Sequence, residues 1–431
     1  MLPRPVLSDS ALAGLDARLA DTDARLAAAY PGKDGRRQPL HTVYVPADRY
    51  DPELPQRWGA QALELAAVHG GMEKLCRTAG LAPELAAEVA PRVVAKLERE
   101  PIEDLRLDFE DGYGTRSDDE EDRDAIAAAT RLADALTSGT APPFVGLRFK
   151  CFEAASRRRG ARTLDLFLGA LLEKSGGVPD GLIITFPKVS TVSQVEALVG
   201  LCAELETGYA LDTGRLGFEI QVETPQIIVG ADGRIPVAAA IAAGAGRVTA
   251  LHYGTYDYSA SLQISAAYQS SDHPAADFAK QVMQVAVAGT GVTLSDGSTN
   301  VLPIGSADEV RSAWRLHAGL VRRALERGFY QGWDLHPGQL PTRYATTFGF
   351  YREGAGRAGT RLRNYFSRAD SGVLDEPATA RALARYLQRG FSCGALGADE
   401  LLEWSGSSPE QLAALALPHS DTQAPALRTT S

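Results

Sequence analysis

Cysteine is scarce in this sequence. Its 431 residues include four cysteines, which stand far apart and form no C-x-x-C pair: Cys76, Cys151, Cys202 and Cys393. This spacing argues against both a zinc ribbon and a disulfide framework. We therefore expect reduced thiols and a cytoplasmic protein. The seven histidines are equally dispersed, with no H-x-H or H-x-x-x-H pair, which argues against a zinc site built on histidine.

Positive charge is also in short supply. Lysine and arginine together number 44 against 54 aspartates and glutamates, which gives a formal net charge of -10. A chain without a basic excess lacks the electrostatic footprint that binds a phosphate backbone or an anionic bilayer. We therefore expect neither a nucleic acid nor a membrane as a partner. A small anionic ligand stays compatible, because a local site can be positive within an acidic protein.

The sequence also lacks a long uninterrupted apolar run. In the first 30 residues Asp and Arg recur every few positions, unlike the apolar core of a signal peptide or a membrane-spanning helix. The segment instead has the pattern of an amphipathic helix, with Ser8 or Asp9 as its N-cap.

Two common enzyme motifs are missing as well. There is no G-x-S-x-G elbow, so serine-type hydrolysis has no support. The nearest approach to G-x-G-x-x-G is Gly244-Ala-Gly246, which stands before a predicted strand and has Thr249 where the third glycine should be. An open, doubly wound nucleotide-binding sheet is therefore the weaker alternative for the fold.

What the sequence does contain is a regular alternation of short β-rich runs and longer Ala/Leu-rich stretches. This alternation indicates βαβ units and a mostly parallel sheet. An α/β barrel with insertions reaches this length as one unit, so we predict a (β/α)8 TIM barrel. Its strands are predicted at 41–45, 105–110, 144–149, 182–187, 216–223, 248–252, 301–304 and 331–336, the seventh having the weakest pattern.

The predicted barrel accounts for most, but not all, of the chain. We expect an N-terminal helical extension over 1–40 and a catalytic barrel over 41–350. A long helical insertion, 52–100, follows the first strand and ends at Pro101. A C-terminal helical region over 351–417 precedes a polar tail, 418–431, which we expect to be disordered.

Alternation along the strands places charged side chains inside the barrel. The inward residues of the second, third and fifth strands are predicted to be Arg106, Asp108, Glu110, Arg148, Glu219, Gln221 and Glu223. An interior built only for stability is layered with Val, Ile and Leu, because an unpaired buried charge is costly. Four inward carboxylates against two inward arginines leave two negative charges uncompensated. A divalent cation would offset them.

Charged residues also stand at the carboxyl ends of the strands, where barrel enzymes place their chemistry. Glu223 and Asp257 form the best metal pair, since both are hard oxygen donors on neighbouring strand ends and suit Mg²⁺ or Mn²⁺. Arg148 has the fork geometry to hold a carboxylate and to stabilise an enolate derived from a 2-oxo acid or thioester. The other candidates at this face are Glu110, Asp111, Lys188 and His336.

The same residues also admit a structural interpretation. They could be capping and salt-bridge residues, with Arg148 paired to Glu110 or Glu219 rather than to a substrate. The number of independent strands that end in a charged residue favours the functional interpretation.

Seven short motifs in chain order resemble the HpcH/HpaI aldolase and citrate lyase β-subunit family, a branch of the phosphoenolpyruvate/pyruvate barrel superfamily. Each motif is short, but all fall at predicted strand ends between about residues 42 and 350. They are Val45-Pro-Ala-Asp-Arg49, Leu107-Asp-Phe-Glu-Asp-Gly112, Gly146-Leu-Arg148, Phe186-Pro-Lys-Val189, Val222-Glu-Thr224, Gly254-Thr-Tyr-Asp257 and Leu335-His-Pro-Gly-Gln339.

This resemblance implies a Mg²⁺-dependent carbon–carbon lyase or aldolase that works through a metal-stabilised enolate. It implies Mg²⁺ on Glu223 and Asp257, and a substrate oxo-acid group on Arg148. Glu110 and Asp111 would position water on the metal, Lys188 and His336 would support the site, and Arg49 would meet the phosphates of CoA. The expected partners are a small carboxylate, as a 2-oxo acid, hydroxy-acid or CoA ester, and further copies of the chain in a homo-oligomer.

Two alternatives remain open at this point. Gly254-Thr-Tyr-Asp-Tyr258 is similar to the G-R-W-D-Y of malate synthases, which implies a Claisen condensation of glyoxylate with an acyl-CoA. Tyr258 also departs from the leucine usual in the aldolase family. The second alternative is a non-catalytic subunit that binds a metabolite.

Overall fold

A barrel of eight parallel strands forms the centre of the computed structural model, which describes residues 6–32, 35–367 and 376–417. Each strand pairs with the next one in chain order, and β1 also pairs with β8. A single bridge between Ser295 and Gln331 joins β7 to β8. The predicted α/β barrel is therefore confirmed. The strands are β1 (His41–Pro46), β2 (Asp104–Asp108), β3 (Phe144–Arg148), β4 (Leu182–Phe186), β5 (Phe218–Val222), β6 (Val248–Tyr253), β7 (Thr293–Ser295) and β8 (Gly332–Asp334).

The prediction of the seventh strand at 301–304 is wrong. Those residues form an irregular segment in which Val301 and Ile304 are 46% and 58% exposed. β7 consists instead of Thr293, Leu294 and Ser295, a strand too short to show an alternating pattern. Pro303 cannot donate to a strand ladder, which explains why the β-branched residues around it do not pair.

Helices surround the barrel and extend beyond it at both ends of the chain. Three of them occupy the segment between β1 and β2, where the helical insertion was expected. The boundary predicted at residue 350 falls inside the long helix α13. The helices are α1 (Asp9–Ala29), α2 (Leu54–Val68), α3 (Met72–Thr78), α4 (Pro83–Arg99), α5 (Asp118–Ser138), α6 (Arg157–Ser175), α7 (Val192–Gly208), α8 (Pro225–Ile228), α9 (Pro236–Ala243), α10 (Thr255–Ser261), α11 (Pro274–Val287), α12 (Ala307–Glu326), α13 (Leu340–Ser367), α14 (Pro377–Ser392), α15 (Ala398–Ser405) and α16 (Pro409–Ala416).

Local signals fix the ends of several helices. The side chain of Ser117 caps α5 by accepting a hydrogen bond from the backbone N–H of Glu120. Four acidic residues follow in the first turn, where the helix dipole favours negative charge. Ser306 and Glu309 form a capping box at the start of α12. The expected N-cap of α1 is also present, because Ser8 accepts from Ala11 N at 3.2 Å.

The barrel wall separates an apolar layer from a polar interior. The outward residues of β2, including Leu105 and Leu107, are fully buried against the helices. Gly146 of β3 has no space for a side chain, because a Cβ there would lie 1.7 Å from the carbonyl oxygen of Ile183 on the neighbouring strand β4. Polar residues meet inside the barrel, as the alternation predicts, since Arg106 of β2 contacts Glu219 of β5.

The remaining expectations concern cysteines, membranes and the tail. All four cysteines are buried free thiols. In the parts of the chain that the structure describes, no helix combines the length and apolar character needed to cross a bilayer. The tail predicted over 418–431 lies outside the described residues.

Candidate active site

Six charged residues from five strand ends converge at the carboxyl face of the barrel. Glu110 and Asp111 follow β2, Arg148 ends β3, Lys188 follows β4, Glu223 follows β5 and Asp257 lies in the first turn of α10 after β6. The Nζ of Lys188 lies 2.6 Å from Glu110 Oε1, 2.7 Å from Asp111 Oδ1 and 3.9 Å from Asp257 Oδ1. The sequence therefore identified residues that the fold brings together. We refer to Glu110, Asp111, Glu223 and Asp257 as the carboxylate cluster.

Lys188 holds this cluster together in an unusual backbone conformation. Its φ of 51° lies in the left-handed region, which costs a non-glycine residue on the order of 1–3 kcal/mol. In this conformation its backbone N–H donates to Glu223 Oε1 at 2.7 Å while its side chain reaches Glu110 and Asp111. Strain of this kind persists where surrounding contacts fix the backbone, and it is frequent at functional sites.

The carboxylate cluster carries more negative charge than its neighbours compensate. Burial, together with the nearby charge of Asp257, raises the pKa of Glu223 to about 8. Burial also raises the pKa of Glu110 to about 7 and the pKa of Asp257 above its ordinary value. The hydrogen bonds from Lys188 to Asp111 and Glu110 raise the pKa of the lysine, although burial acts in the opposite direction. Lys188 and one edge of Arg148 thus face four carboxylates, and a further cation would relieve the remaining imbalance.

Arg148 has a structural partner that the sequence analysis did not name. Its Nε and Nη2 both donate to Asp108, at 2.7 Å each, and Asp108 also accepts from the backbone N–H groups of Glu110 and Gly112. Each carboxylate oxygen of Asp108 therefore accepts two hydrogen bonds. The Nη1 of Arg148 remains 3.9 Å from both Glu110 Oε2 and Asp111 Oδ2, so this edge of the guanidinium faces the carboxylate cluster.

A second group of charges lies deeper in the barrel. Arg106 donates to Glu219 Oε2 at 3.0 Å, to Thr185 at 3.0 Å and to Asp104. Strands β2 and β5 are not neighbours, so the contact between Arg106 and Glu219 crosses the interior and confirms the predicted inward side of both strands. We call Asp104, Arg106 and Glu219 the inner ion cluster. Its three side chains are at most 1% exposed.

Two predicted site residues lie apart from the carboxylate cluster in their described contacts. His336 follows β8, and its Nδ1 accepts from the backbone N–H of Gly338, so the ring caps the short turn Pro337–Gln339. Burial lowers the pKa of His336. Arg49 ends the turn Ala47–Arg49 at the same face of the barrel and is exposed. The roles predicted for both residues stay predictions.

Residues 19–420 match a family model described as "Domain of unknown function (DUF6986)". The chain belongs to the DUF6986 family. No curated protein matches the sequence.

Several solved structures are similar to this DUF6986 chain at low sequence identity. The lead(II) complex of Haloferax volcanii malate synthase is 14% identical, with 88% of this chain and 99% of that chain covered and a TM-score of 0.47. A citrate lyase β subunit from M. tuberculosis, complexed with oxaloacetate and magnesium, is 18% identical over 73% and 99% of the two chains, with a TM-score of 0.41. An HpcH/HpaI aldolase/citrate lyase family protein from Burkholderia cenocepacia is 14% identical over 70% and 90%, with a TM-score of 0.39.

The carboxylate ligands present in the DUF6986 chain fit a hard cation that prefers oxygen ligands and is held by few protein residues. Within residues 6–32, 35–367 and 376–417, no group of three or more His, Cys, Asp and Glu residues is arranged to hold a metal ion. Glu223 and Asp257 provide two carboxylates, one 2% exposed and the other partly open to solvent. Mg²⁺ commonly binds through one or two carboxylates and fills its remaining positions with water and substrate oxygens. The pair therefore suits Mg²⁺ better than it suits a metal that needs a closed protein cage.

Sequence reasoning missed two residues and one pairing that shape the DUF6986 site. Asp104 shares the parity of Arg106, so the alternation could have identified it as an inward residue. Asp108 was predicted to face inward, but not to pair with Arg148. Tyr44 is inward on β1, and its ring lies 4.9 Å below the guanidinium of Arg148. An isolated tyrosine in a strand gives no signal of this kind, since tyrosine is frequent in strands in general.

The backbone of Gly254 packs closely against the side chain of Glu223. A Cβ at this position would lie 2.5 Å from Glu223 Cβ and 2.6 Å from Glu223 Oε2. We expect Gly254→Ala to displace the carboxylate, to weaken Mg²⁺ binding at least about tenfold and to destabilise the fold by about 1–3 kcal/mol through overpacking. Thermal unfolding over a Mg²⁺ titration measures both effects.

Gly200→Ala in α7 is the matched control for this substitution, because a Cβ there has no atom within 4 Å. It should leave Mg²⁺ binding unchanged. Wild-type Mg²⁺ affinity in Gly254→Ala would contradict the assignment of Glu223 as a metal ligand.

Proposed function

We propose that this chain is a Mg²⁺-dependent carbon–carbon lyase or aldolase that acts on a 2-oxo acid, a hydroxy-acid or a CoA ester through an enolate. The observation that carries the proposal is the carboxylate cluster, half of it buried, in which four carboxylates face Lys188 and the Nη1 edge of Arg148. Carboxylates with raised pKa values next to an arginine are suited to binding a cation and an anionic substrate together.

Each residue has a distinct part in this proposal. Glu223 and Asp257 would hold Mg²⁺, which supplies Lewis-acid stabilisation of negative charge on a substrate oxygen. The Nη1 edge of Arg148 would donate to the substrate carboxylate, while Asp108 and the ring of Tyr44 keep the guanidinium in place. Lys188 fixes Glu223 through its backbone and Glu110 and Asp111 through its side chain.

Glu110 is the best candidate for the group that moves a proton. Its pKa of about 7 places it close to neutral pH, where a side chain can both take and give a proton. Its Oε1 accepts from Lys188 at 2.6 Å, and its side chain is 9% exposed, so the carboxyl is oriented and shielded from solvent. These properties match those of a general acid–base in an enolate-forming reaction.

A test of enolate formation does not require the natural substrate. The purified protein is incubated with Mg²⁺ and pyruvate in D₂O, and loss of the methyl signal is followed by ¹H NMR. A panel of 2-oxo acids, hydroxy-acids and their CoA esters, with glyoxylate plus acetyl-CoA as the condensation arm, then identifies which bond is broken or made. We expect exchange or turnover that EDTA abolishes and added Mg²⁺ restores.

The controls separate the lyase from the alternatives. Glu110→Gln should bind Mg²⁺ normally but exchange slowly, whereas Glu196→Gln, at an exposed position of α7, should behave as wild type. Turnover confined to glyoxylate and acetyl-CoA would favour the malate synthase alternative. Mg²⁺ binding without exchange or turnover across the whole panel would overturn the proposal in favour of a metabolite-binding subunit.

A further inference from the structure

The first helix, α1, has an apolar face that nothing in the described chain covers. None of its 21 residues is buried. Its four leucines, Leu12, Leu15, Leu19 and Leu26, are 44%, 51%, 45% and 52% exposed. An isolated helix of this length is marginal in water and gains its stability from packing of its apolar face. We therefore expect the exposed leucines to pack against another protein surface.

The spacing of these leucines specifies the geometry of that partner. Counting from Leu12, alternate steps of three and four residues reach Leu15, Leu19, Thr22, Leu26 and Ala29. This is the a and d pattern of a heptad repeat, in which apolar residues recur on average every 3.5 residues and pack as knobs into the holes of a facing helix. We call these a and d positions the seam of α1. Thr22 is the single polar residue of the seam. In a symmetric pair of helices it would lie opposite Thr22 of the other copy and fix the register, as polar core residues do in coiled coils.

The charges that flank the seam favour a second copy of the same helix. With Leu12 at position a, the e positions are Asp9, Asp16 and Asp23, and Arg18 and Arg25 occupy g positions. In a parallel pair of helices g faces e of the next heptad of the partner, so Arg18 of each copy meets Asp23 of the other. An antiparallel pair would set e against e and g against g, which brings like charges together. Within the described ranges neither Arg18 nor Asp23 has an ion-pair partner of its own.

We propose that α1 is a dimerisation helix that forms a parallel two-stranded coiled coil with α1 of a second copy of this chain. The end of α1 is tied to the barrel, because Gly32 N donates to Gly289 O at 2.8 Å and Tyr30 packs on Gly289. Gly289 precedes β7, so this anchor lies at the amino ends of the strands, away from the carboxylate cluster. A dimer joined through α1 therefore leaves both candidate active sites open.

Disruption of the seam tests the proposal directly. Sedimentation velocity should show a dimer for the wild-type chain and a monomer for Leu15→Glu/Leu19→Glu. The control Ala17→Glu/Ala24→Glu places the same charges at the outer f positions and should remain dimeric. All three proteins should unfold at similar temperatures in the monomeric limit, since α1 buries no residue in its own chain. A wild-type monomer at every concentration, or a dimer that survives the Leu15→Glu/Leu19→Glu change, would overturn the proposal.

The relative orientation of the two α1 helices is tested by charge reversal and by cross-linking. Arg18→Glu or Asp23→Lys alone should weaken the dimer, and the double variant should restore it, because only a parallel pair sets these two positions against each other. A cysteine at position 12, in Leu12→Cys, should form an inter-chain disulfide on mild oxidation, since the four native cysteines are buried. Ala17→Cys at an outer position should not. Absence of rescue together with absence of the Leu12→Cys cross-link would refute the parallel arrangement.

Discussion

Glutamine in place of Glu223 is expected to abolish metal-dependent stabilisation while leaving the metal-free fold intact. Glutamine keeps the size of the side chain and can still accept the hydrogen bond from the backbone N–H of Lys188. Burial raises the pKa of Glu223 to about 8, so at neutral pH the metal-free site holds this carboxyl mostly in its neutral form, which glutamine replaces with another neutral group. The metal-free variant should therefore be at least as stable as the metal-free wild type.

In the presence of Mg²⁺ the wild-type chain and Glu223→Gln should differ strongly in stability. A ligand that binds only the folded state at about 100 times its Kd stabilises the protein by about 2.7 kcal/mol. We expect the wild-type chain to show this increase with Mg²⁺ and Glu223→Gln to show almost none, with Mg²⁺ affinity reduced at least about 100-fold. Thermal unfolding with and without MgCl₂ and isothermal titration calorimetry measure both quantities.

Two further variants make the result specific. Asp257→Asn should weaken Mg²⁺ binding in the same way, because Asp257 is the second carboxylate of the proposed pair. Glu196→Gln, the same chemical change at an exposed position of α7, should bind as wild type does. Equal Mg²⁺ stabilisation in wild type and Glu223→Gln would show that the carboxylate cluster is a set of structural ion pairs.

The alternation of side chains along strands was the strongest guide from sequence to site. It placed Arg106 and Glu219 on the barrel axis, and their contact across the interior bears this out. The carboxyl ends of parallel strands meet at one face of a barrel, so residues that end different strands could be expected to meet. Lys188, Glu110 and Asp111 do so.

Other features depend on three-dimensional context that a strand pattern does not contain. β7 has only three residues, and the apolar run at 301–304 was a more prominent signal, although it forms an irregular segment. The pairing of Arg148 with Asp108, rather than with Glu110 or Glu219, depends on which of several inward carboxylates lies within reach. The left-handed backbone of Lys188 could not be predicted, since residues in that conformation are usually glycine or asparagine.

The charged residues of the barrel therefore form two sets that differ in burial and in contacts. In the inner ion cluster one fully buried arginine contacts both carboxylates directly. The carboxylate cluster faces the carboxyl ends of the strands, and two of its four carboxylates, Asp111 and Asp257, are partly exposed. We expect the buried contacts of Arg106 to support the fold, and the partly exposed carboxylates to bind a cation.

The strongest effect on stability is expected from Arg106→Met. Arg106 is the only cation among the three side chains of the inner ion cluster, and its contacts with Asp104 and Glu219 are fully buried. Without it two buried carboxylates lose their partner, and burial of an unpaired charge on this scale costs about 3–5 kcal/mol. Urea unfolding measures the change. Arg311→Met, which breaks an exposed pair with Asp308, should cost less than about 1 kcal/mol.

Neutralising the partners of Arg106 as well should recover most of the unfolding free energy that Arg106→Met loses. In the triple variant Asp104→Asn/Arg106→Met/Glu219→Gln no charge is left without a partner, and replacement of a whole buried ion pair is often nearly neutral. A loss in Arg106→Met no larger than in Arg311→Met would show that the inner ion cluster does not support the fold. Because this cluster does not contact the proposed metal ligands, folded Arg106→Met should keep its Mg²⁺ affinity. Glu223→Gln should do the opposite, losing the metal and keeping the fold, so the pair of variants separates the structural charges of the barrel from the functional ones.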